Sequence, residues 1–238
     1  MGVYGSAAIR APHQAGEVIE REKAQGYRAS TLHIGTGFET DTEAMRLIGA
    51  TLDEAQRQNY RVFVETHRAT VTQDMARTLR WVQYFPEIAF NADLSHWYTG
   101  LEMPYGDFDE KLKLLAPIFE RVGFLHGRIG NSGSMQVAIA TGRRDEPHLS
   151  HFRKMWRLCF EGFLRHASPE DGVVFAPELL PNGFDVDGMK VYGNYAQLDG
   201  AAGAPQRETS DRWDQALKLC AIARHAYAEA AAARDGPR

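Results

Sequence analysis

The chain has 238 residues, with 27 Lys and Arg against 31 Asp and Glu, for a formal net charge of −4. That length suits one large domain, and a mildly acidic balance argues against a nucleic-acid partner, since phosphate binding needs clustered Lys and Arg. Two cysteines outside any metal or CxxC spacing, no N-terminal basic-then-apolar stretch and no run nearing ~18 apolar residues predict a soluble cytoplasmic protein, without a signal peptide or a membrane partner.

Residues 1–12 read as loop or a frayed strand. Residues 14–25 carry a moderately polar helical pattern closed by Gly26, and Ser30–Ile34 reads as a strand ending in Gly35-Thr36-Gly37. Thr40-Asp41-Thr42-Glu43 has capping-box spacing ahead of a helix with Met45, Ile48 and Leu52 on one face. A strand ending at Glu65 precedes a helix with Met75, Leu79 and Val82. A strand ending near Asp93 precedes one with Phe108, Leu112, Leu115 and Phe119. After a strand carrying His126, residues 128–149 read as a long loop. It includes the basic pair Arg143-Arg144, which is read as solvated. Loops of that length in a compact domain are usually functional. A helix from about residue 150 has a broad apolar face, with Phe152, Met155, Trp156, Cys159, Phe160 and Phe163, which predicts burial on two sides. Residues 173–176 form a strand leading to Glu178, followed by a second long loop over 180–207. The chain closes with a helix over about 210–232, which carries Cys220. The count is about five strands, all parallel, in one domain over 1–238 with flexible ends at 1–12 and 235–238.

Glu65, Asp93, His126 and Glu178 each lie at the end of a short apolar, strand-like run, at gaps of 28, 33 and 52 residues. A strand-helix-strand crossover needs about 30 or more residues. Side chains at the C-terminal tips of adjacent parallel strands converge, as they do at the active face of a (β/α) barrel. Two glutamates, an aspartate and a histidine form a donor set for a divalent ion of intermediate hardness such as Mn²⁺. Taken singly, each has a plainer reading: strand-end carboxylates for the glutamates, a turn cap for Asp93, an interior histidine for His126. His96, three residues after Asp93, could touch substrate or brace the aspartate. Arg128 could clamp an oxyanion or form a structural ion pair, His67 is a candidate for substrate contact or for wall, and His33 has only its position to recommend it. Trp97 and Tyr98 are candidates for stacking on a sugar face or for wall.

Four words carry a family likeness: Val64-Glu65-Thr66-His67-Arg68, Ala92-Asp93-Leu94-Ser95-His96-Trp97, Leu125-His126-Gly127-Arg128-Ile129-Gly130 and Pro177-Glu178. On these residues the chain resembles the xylose isomerase-like TIM barrel superfamily, in its sugar phosphate isomerase/epimerase branch, over roughly residues 31–225. The resemblance implies an incomplete α/β barrel of about five of eight strands, lacking its N-terminal part. It also implies one divalent metal ion (Mn²⁺, Mg²⁺, Co²⁺ or Zn²⁺) held by Glu65, Asp93, His126 and Glu178. Substrate contacts would fall on His96 and Arg128, with Gln136 a polar residue near the site.

The chemistry that fits is proton abstraction next to the carbonyl of a sugar or sugar phosphate, through a metal-stabilised enediolate. Glu65 and Glu178 would take and return the proton. A dehydratase of the same superfamily is a neighbouring alternative. A second is an inactive or truncated half-barrel that binds metal or ligand, with a possible homodimer covering its open edge. A DNA-repair endonuclease of similar fold is disfavoured, because no Asp-x-His pair occurs between His126 and Glu178.

Overall fold

The computed structural model describes residues 2–139, 147–168, 170–181, 183–192, 198–200 and 207–235. Arg143-Arg144 and the rest of 140–146 lie outside them, as do most of 193–206 and the tail 236–238. The protein is α/β. Six parallel strands lie side by side in chain order: β1 (Gly5–Ile9), β2 (Ser30–Ile34), β3 (Val62–Glu65), β4 (Phe90–Ala92), β5 (Val122–His126) and β6 (Val174–Ala176). Between them run α1 (Ala15–Ala24), α2 (Asp41–Arg57), α3 (Met75–Tyr84), α4 (Leu94–Gly100), α5 (Phe108–Phe119) and α6 (Pro147–His166). Sequential strand order with helical crossovers brings all six C-terminal strand ends to one edge of the sheet.

The two faces of the sheet differ. Alternation sends Leu32, Ile34, Val62, Val64, Phe90 and Leu125 into the main core with the helices, where Trp81, Leu115, Phe152 and Trp156 are fully buried. The other face carries Thr31, His33, Phe63, Glu65, Asn91, Phe124 and His126. The register sets Thr31 beside Phe63, Glu65 beside Asn91, and Asn91 beside Phe124. Toward the strand starts this face is apolar: Phe63 and Phe124 meet edge-on with centroids 5.8 Å apart, next to Tyr4, Val174 and Ala176. Toward the strand ends it turns polar.

The Thr40 capping box forms as its spacing predicts, with Glu43 N–H donating to Thr40 Oγ1 and Thr40 N–H donating to Glu43 Oε2. α6 is buried on two sides as expected, packing on α5 and β5 and also on the closing helix α7 (Arg212–Asp235). α7 offers Leu219, Ala223, Ala226 and Ala230 to that contact, while Cys159 of α6 is buried and Cys220 of α7 half-buried. Gly162 lets α6 approach the end of α5, because a Cβ there would lie 2.4 Å from the Phe119 carbonyl oxygen and 2.8 Å from Glu120 Cα. Among the described residues no helix is long and apolar enough to cross a membrane.

Four expectations need correction. Gly5–Ile9, within the stretch read as a flexible end, is a strand paired in register with all of β2, so the parallel sheet has six strands rather than five. Its residues, Gly-Ser-Ala-Ala-Ile, have weak strand propensity, and the pairing supplies the order. The second long loop is not all loop. It contains an antiparallel hairpin of β7 (Gly183–Val186) and β8 (Met189–Tyr192), turning at Asp187-Gly188 with both φ positive (50° and 78°). Asp-Gly between two strand-like runs is a recognised hairpin signal. A two-residue antiparallel pair, β9 (Leu198–Asp199) with β10 (Arg207–Glu208), follows, so the strands are not all parallel. Finally, Asp235, expected in a flexible tail, ends α7, and α4 stands in a stretch for which no helix was expected.

Candidate metal centre

Glu65 is the last residue of β3 and is buried. Its two oxygens have different surroundings. Oε2 accepts hydrogen bonds from Thr31 Oγ1 at 2.9 Å and from Asn91 Nδ2 at 3.2 Å. Oε1 instead faces two imidazole nitrogens, His33 Nε2 at 3.1 Å and His126 Nδ1 at 3.4 Å. Burial alone would raise this carboxyl, but the close imidazole contacts and charges of His126 and His33 outweigh it and hold Glu65 well below the usual carboxylate range. The partners shift in the complementary sense. His33 is raised chiefly by its close contact with the Glu65 carboxylate. His126 is raised because Glu65 and the nearby carboxylates overcome its burial.

Asp93 follows β4 and caps α4, its Oδ1 accepting from Ser95 N at 3.1 Å and from Ser95 Oγ at 2.5 Å. Its Oδ2 pairs with the Arg128 guanidinium and lies 3.4 Å from His96 Nε2. The side chain is 0 % exposed. Burial pushes it up, and the Arg128 charge with the His96 hydrogen bond brings it well below the ordinary aspartate value. Arg128, also buried, donates to Ser95 Oγ at 3.1 Å and to His96 Nε2 at 3.1 Å. Its Nη2 lies 3.4 Å from Glu178 Oε2 as well.

Glu178, two residues past β6, brings Oε2 to 3.4 Å from His126 Nδ1. Burial raises its carboxyl despite Arg128, and the charges of Asp93 and Glu65 add to the rise. Glu65, Asp93 and His126 each offer a donor atom within 4.8 Å of the others. His126 Nδ1 and Glu178 Oε2 are both buried without a hydrogen-bond partner. Buried polar atoms are ordinarily satisfied. Two unsatisfied donors of ligand type, 3.4 Å apart beside the carboxylate Oε1 of Glu65, fit a divalent cation.

Three of the four expected ligands, Glu65, Asp93 and His126, form one donor group, while Glu178 stands outside that group and meets it through His126 Nδ1 and Arg128; His96 and Arg128 adjoin Asp93. Arg128 serves as an ion-pair partner of Asp93, the structural alternative weighed for it. His67 lies just past β3, its ring between those of His33 (centroids 4.4 Å) and His96 (3.9 Å). Burial and its two histidine neighbours push its pKa down to about 4. Gln136 does not turn its amide to the centre. Its Nε2 donates to the Leu180 carbonyl and its Oε1 accepts from Leu180 N, both at 2.9 Å, so it ties down the segment that carries Glu178. Trp97 and Tyr98 are wall: both are buried, with Trp97 Nε1 donating to the Thr72 carbonyl and Tyr98 OH bonded to His151 Nδ1. Thr31, Asn91 and Ser95, which hold Glu65 and Asp93, were not among the expected site residues. Asn91 gave a signal, a polar residue between Phe90 and Ala92 in a strand too short to have an exposed side.

The fold and site together define an α/β protein whose six-stranded parallel sheet gathers carboxylates and imidazoles at its C-terminal edge. No protein-family model matches the chain, and no curated protein does.

Proposed function

We propose that the chain is a divalent-metal-dependent isomerase or epimerase of sugars or sugar phosphates, built on part of a (β/α) barrel of the xylose isomerase-like kind. The observation that carries this is the pair of buried ligand atoms that complete no hydrogen bond, His126 Nδ1 and Glu178 Oε2, beside Glu65 Oε1 at the C-terminal edge of the sheet. A bound cation such as Mn²⁺ would supply Lewis acidity to the carbonyl and hydroxyl oxygens of an α-hydroxy carbonyl substrate, making the neighbouring C–H acidic. Glu65, fixed through Oε2 by Thr31 and Asn91, and Glu178, poised on the segment held by Gln136, are the two carboxylates available to take and return that proton. Arg128 keeps the buried Asp93 ionised and close to Glu178. His96 and His67 line the centre with ring edges suited to substrate oxygens.

The test has two stages. Protein purified without chelator should carry Mn²⁺ or a similar ion, and added Mn²⁺ should raise the melting temperature of the wild type but not of Glu178→Gln. Ketoses and their phosphates incubated with the protein in D₂O should then gain deuterium next to the carbonyl. Absence of both metal and thermal shift would defeat the reading. A second reading, a cation-binding protein without turnover, draws on the sheet's open edges: among the described residues β1 and β6 each pair with one parallel neighbour. Metal binding without deuterium exchange would favour it.

A further inference from the structure

We propose that the protein binds an amphipathic monocarboxylate of the medium-chain fatty acid class in a cavity between β6, α6 and α7, with Arg224 holding the head group. The site is separate from the metal centre and does not depend on it.

Side-chain alternation at the last parallel strand shapes the cavity. Val174 and Ala176 turn to the apolar layer of Phe63 and Phe124, while Val173 and Phe175 turn to the helices and line the hollow. β6 pairs only with β5, so among the described residues no further strand of the sheet covers that side. Phe160 of α6 and Tyr227 of α7 also line it, their rings edge-on with centroids 5.5 Å apart. A Cβ on Gly172, another lining residue, would meet no atom within 4 Å, so the hollow stays open beside it.

The polar part comes from α7. Cys220, Ala223, Arg224 and Tyr227 stand at i, i+3, i+4 and i+7, which puts them on one helix face, and all four line the cavity. Arg224 is the one charged residue of the lining. It is exposed and has no ion-pair partner among the described residues. An apolar hollow with a single guanidinium at its edge complements a ligand with an apolar tail and one carboxylate, which the guanidinium fork can grip with two hydrogen bonds. The cavity holds about 310 Å³, at the low end for small-molecule sites, which suits a short tail.

The two cysteines supply the readout. Cys159 is buried and burial pushes its thiol up, so it stays unreactive in the folded chain, whereas Cys220 is half-buried and lines the cavity. The full chain is treated with a maleimide, and Cys220 modification is followed by mass spectrometry in the presence of octanoate, octylamine or acetate. Millimolar octanoate should slow the modification saturably, and octylamine and acetate should not. Arg224→Gln should need ~10-fold more octanoate for the same protection, the worth of a charge-assisted hydrogen bond. Arg224→Glu should be protected by octylamine instead. Arg224 is exposed, so both variants should keep the wild-type circular dichroism spectrum. Calorimetric titration with octanoate gives the same comparison independently of thiol reactivity. No binding of octanoate, equal protection by acetate or octylamine, or the same octanoate affinity in both variants would overturn the proposal. Protection that rises with protein concentration and ignores octanoate would assign the hollow to a second copy of the chain and overturn it as well.

Discussion

Replacing Arg128 with Met is the sharpest test of how the centre is held. Arg128 and Asp93 are 2 % and 0 % exposed and pair directly, and Arg128 also reaches Ser95, His96 and Glu178. Met fills similar volume but leaves the Asp93 carboxylate with only the Ser95 and His96 contacts. Removing one partner of a buried ion pair costs about 3–5 kcal/mol, because the remaining charge stays desolvated. For a chain of this size each kcal/mol moves the melting temperature by ~2–4 °C, so the expected fall is roughly 6–20 °C at pH 7. The sign with pH follows from Asp93. In wild type its folded pKa is depressed, so its contribution is present above the unfolded value near 4 and fades as pH falls through the folded value. In Arg128→Met the dominant stabilising charge is gone and burial pushes the carboxyl up. The variant's deficit should therefore shrink as pH drops from 7 toward 5. Adding Asp93→Asn should recover much of the loss, since no charge is then stranded. The assay is differential scanning calorimetry of chelator-treated protein at pH 5, 6 and 7. A fall of under 2 °C at pH 7, or an equal fall at all three values, would refute the argument.

Three further outcomes follow from the same geometry. Because His33 and His126 are raised by Glu65, the stability they add in metal-free protein is fully present below about pH 6.5 and lost as pH rises through their folded values. A melting-temperature profile from pH 6 to 9 should fall in wild type and flatten in Glu65→Gln. Gln136→Ala should weaken Mn²⁺ binding by ~10-fold or more, as loss of an outer partner of a metal site does, measured by calorimetric titration. Unchanged affinity would free Leu180 and Glu178 from dependence on that amide. Gly162→Ala should cost about 1–3 kcal/mol in urea unfolding, because the added Cβ meets backbone and not a movable side chain. A change within ~0.5 kcal/mol would mean that α5 and α6 separate without penalty.

The helices and central strands were legible because their patterns are strong: Ser30–Ile34 and the Thr40 box reappear at the expected positions. β1 was legible only as loop or frayed strand, since Gly-Ser-Ala-Ala-Ile lacks β-branched residues before Ile9 and takes its order from pairing with β2. The placement of Glu65, Asp93, His126 and Glu178 was legible from position alone, each at or just past a strand end. What sequence spacing could not show was who holds them. Thr31 lies 34 residues from Glu65, Arg128 lies 35 from Asp93, and Gln136 lies 44 from Leu180. Contacts at such separations depend on strand register and loop path, and the single-residue patterns carry no record of either. Gln136 is the clearest case: its position after His126 suggested substrate, and its amide turned out to be spent on backbone.

The charge balance of the centre also argues for a cation. Glu65, Asp93 and Glu178 bring three carboxylates together against one guanidinium, and Arg128 is already committed to Asp93 and Glu178. The remaining compensation for Glu65 comes from His33 and His126, whose proton affinities rise for that reason. A divalent ion at His126 Nδ1 and Glu65 Oε1 would occupy the space that such a proton otherwise fills. Proton and ion therefore compete for one place, and cation affinity should rise with pH through the range where those histidines titrate. The apolar layer of Phe63 and Phe124 directly beneath keeps water from that side, so the competition is settled at the open strand-end face where a substrate would arrive.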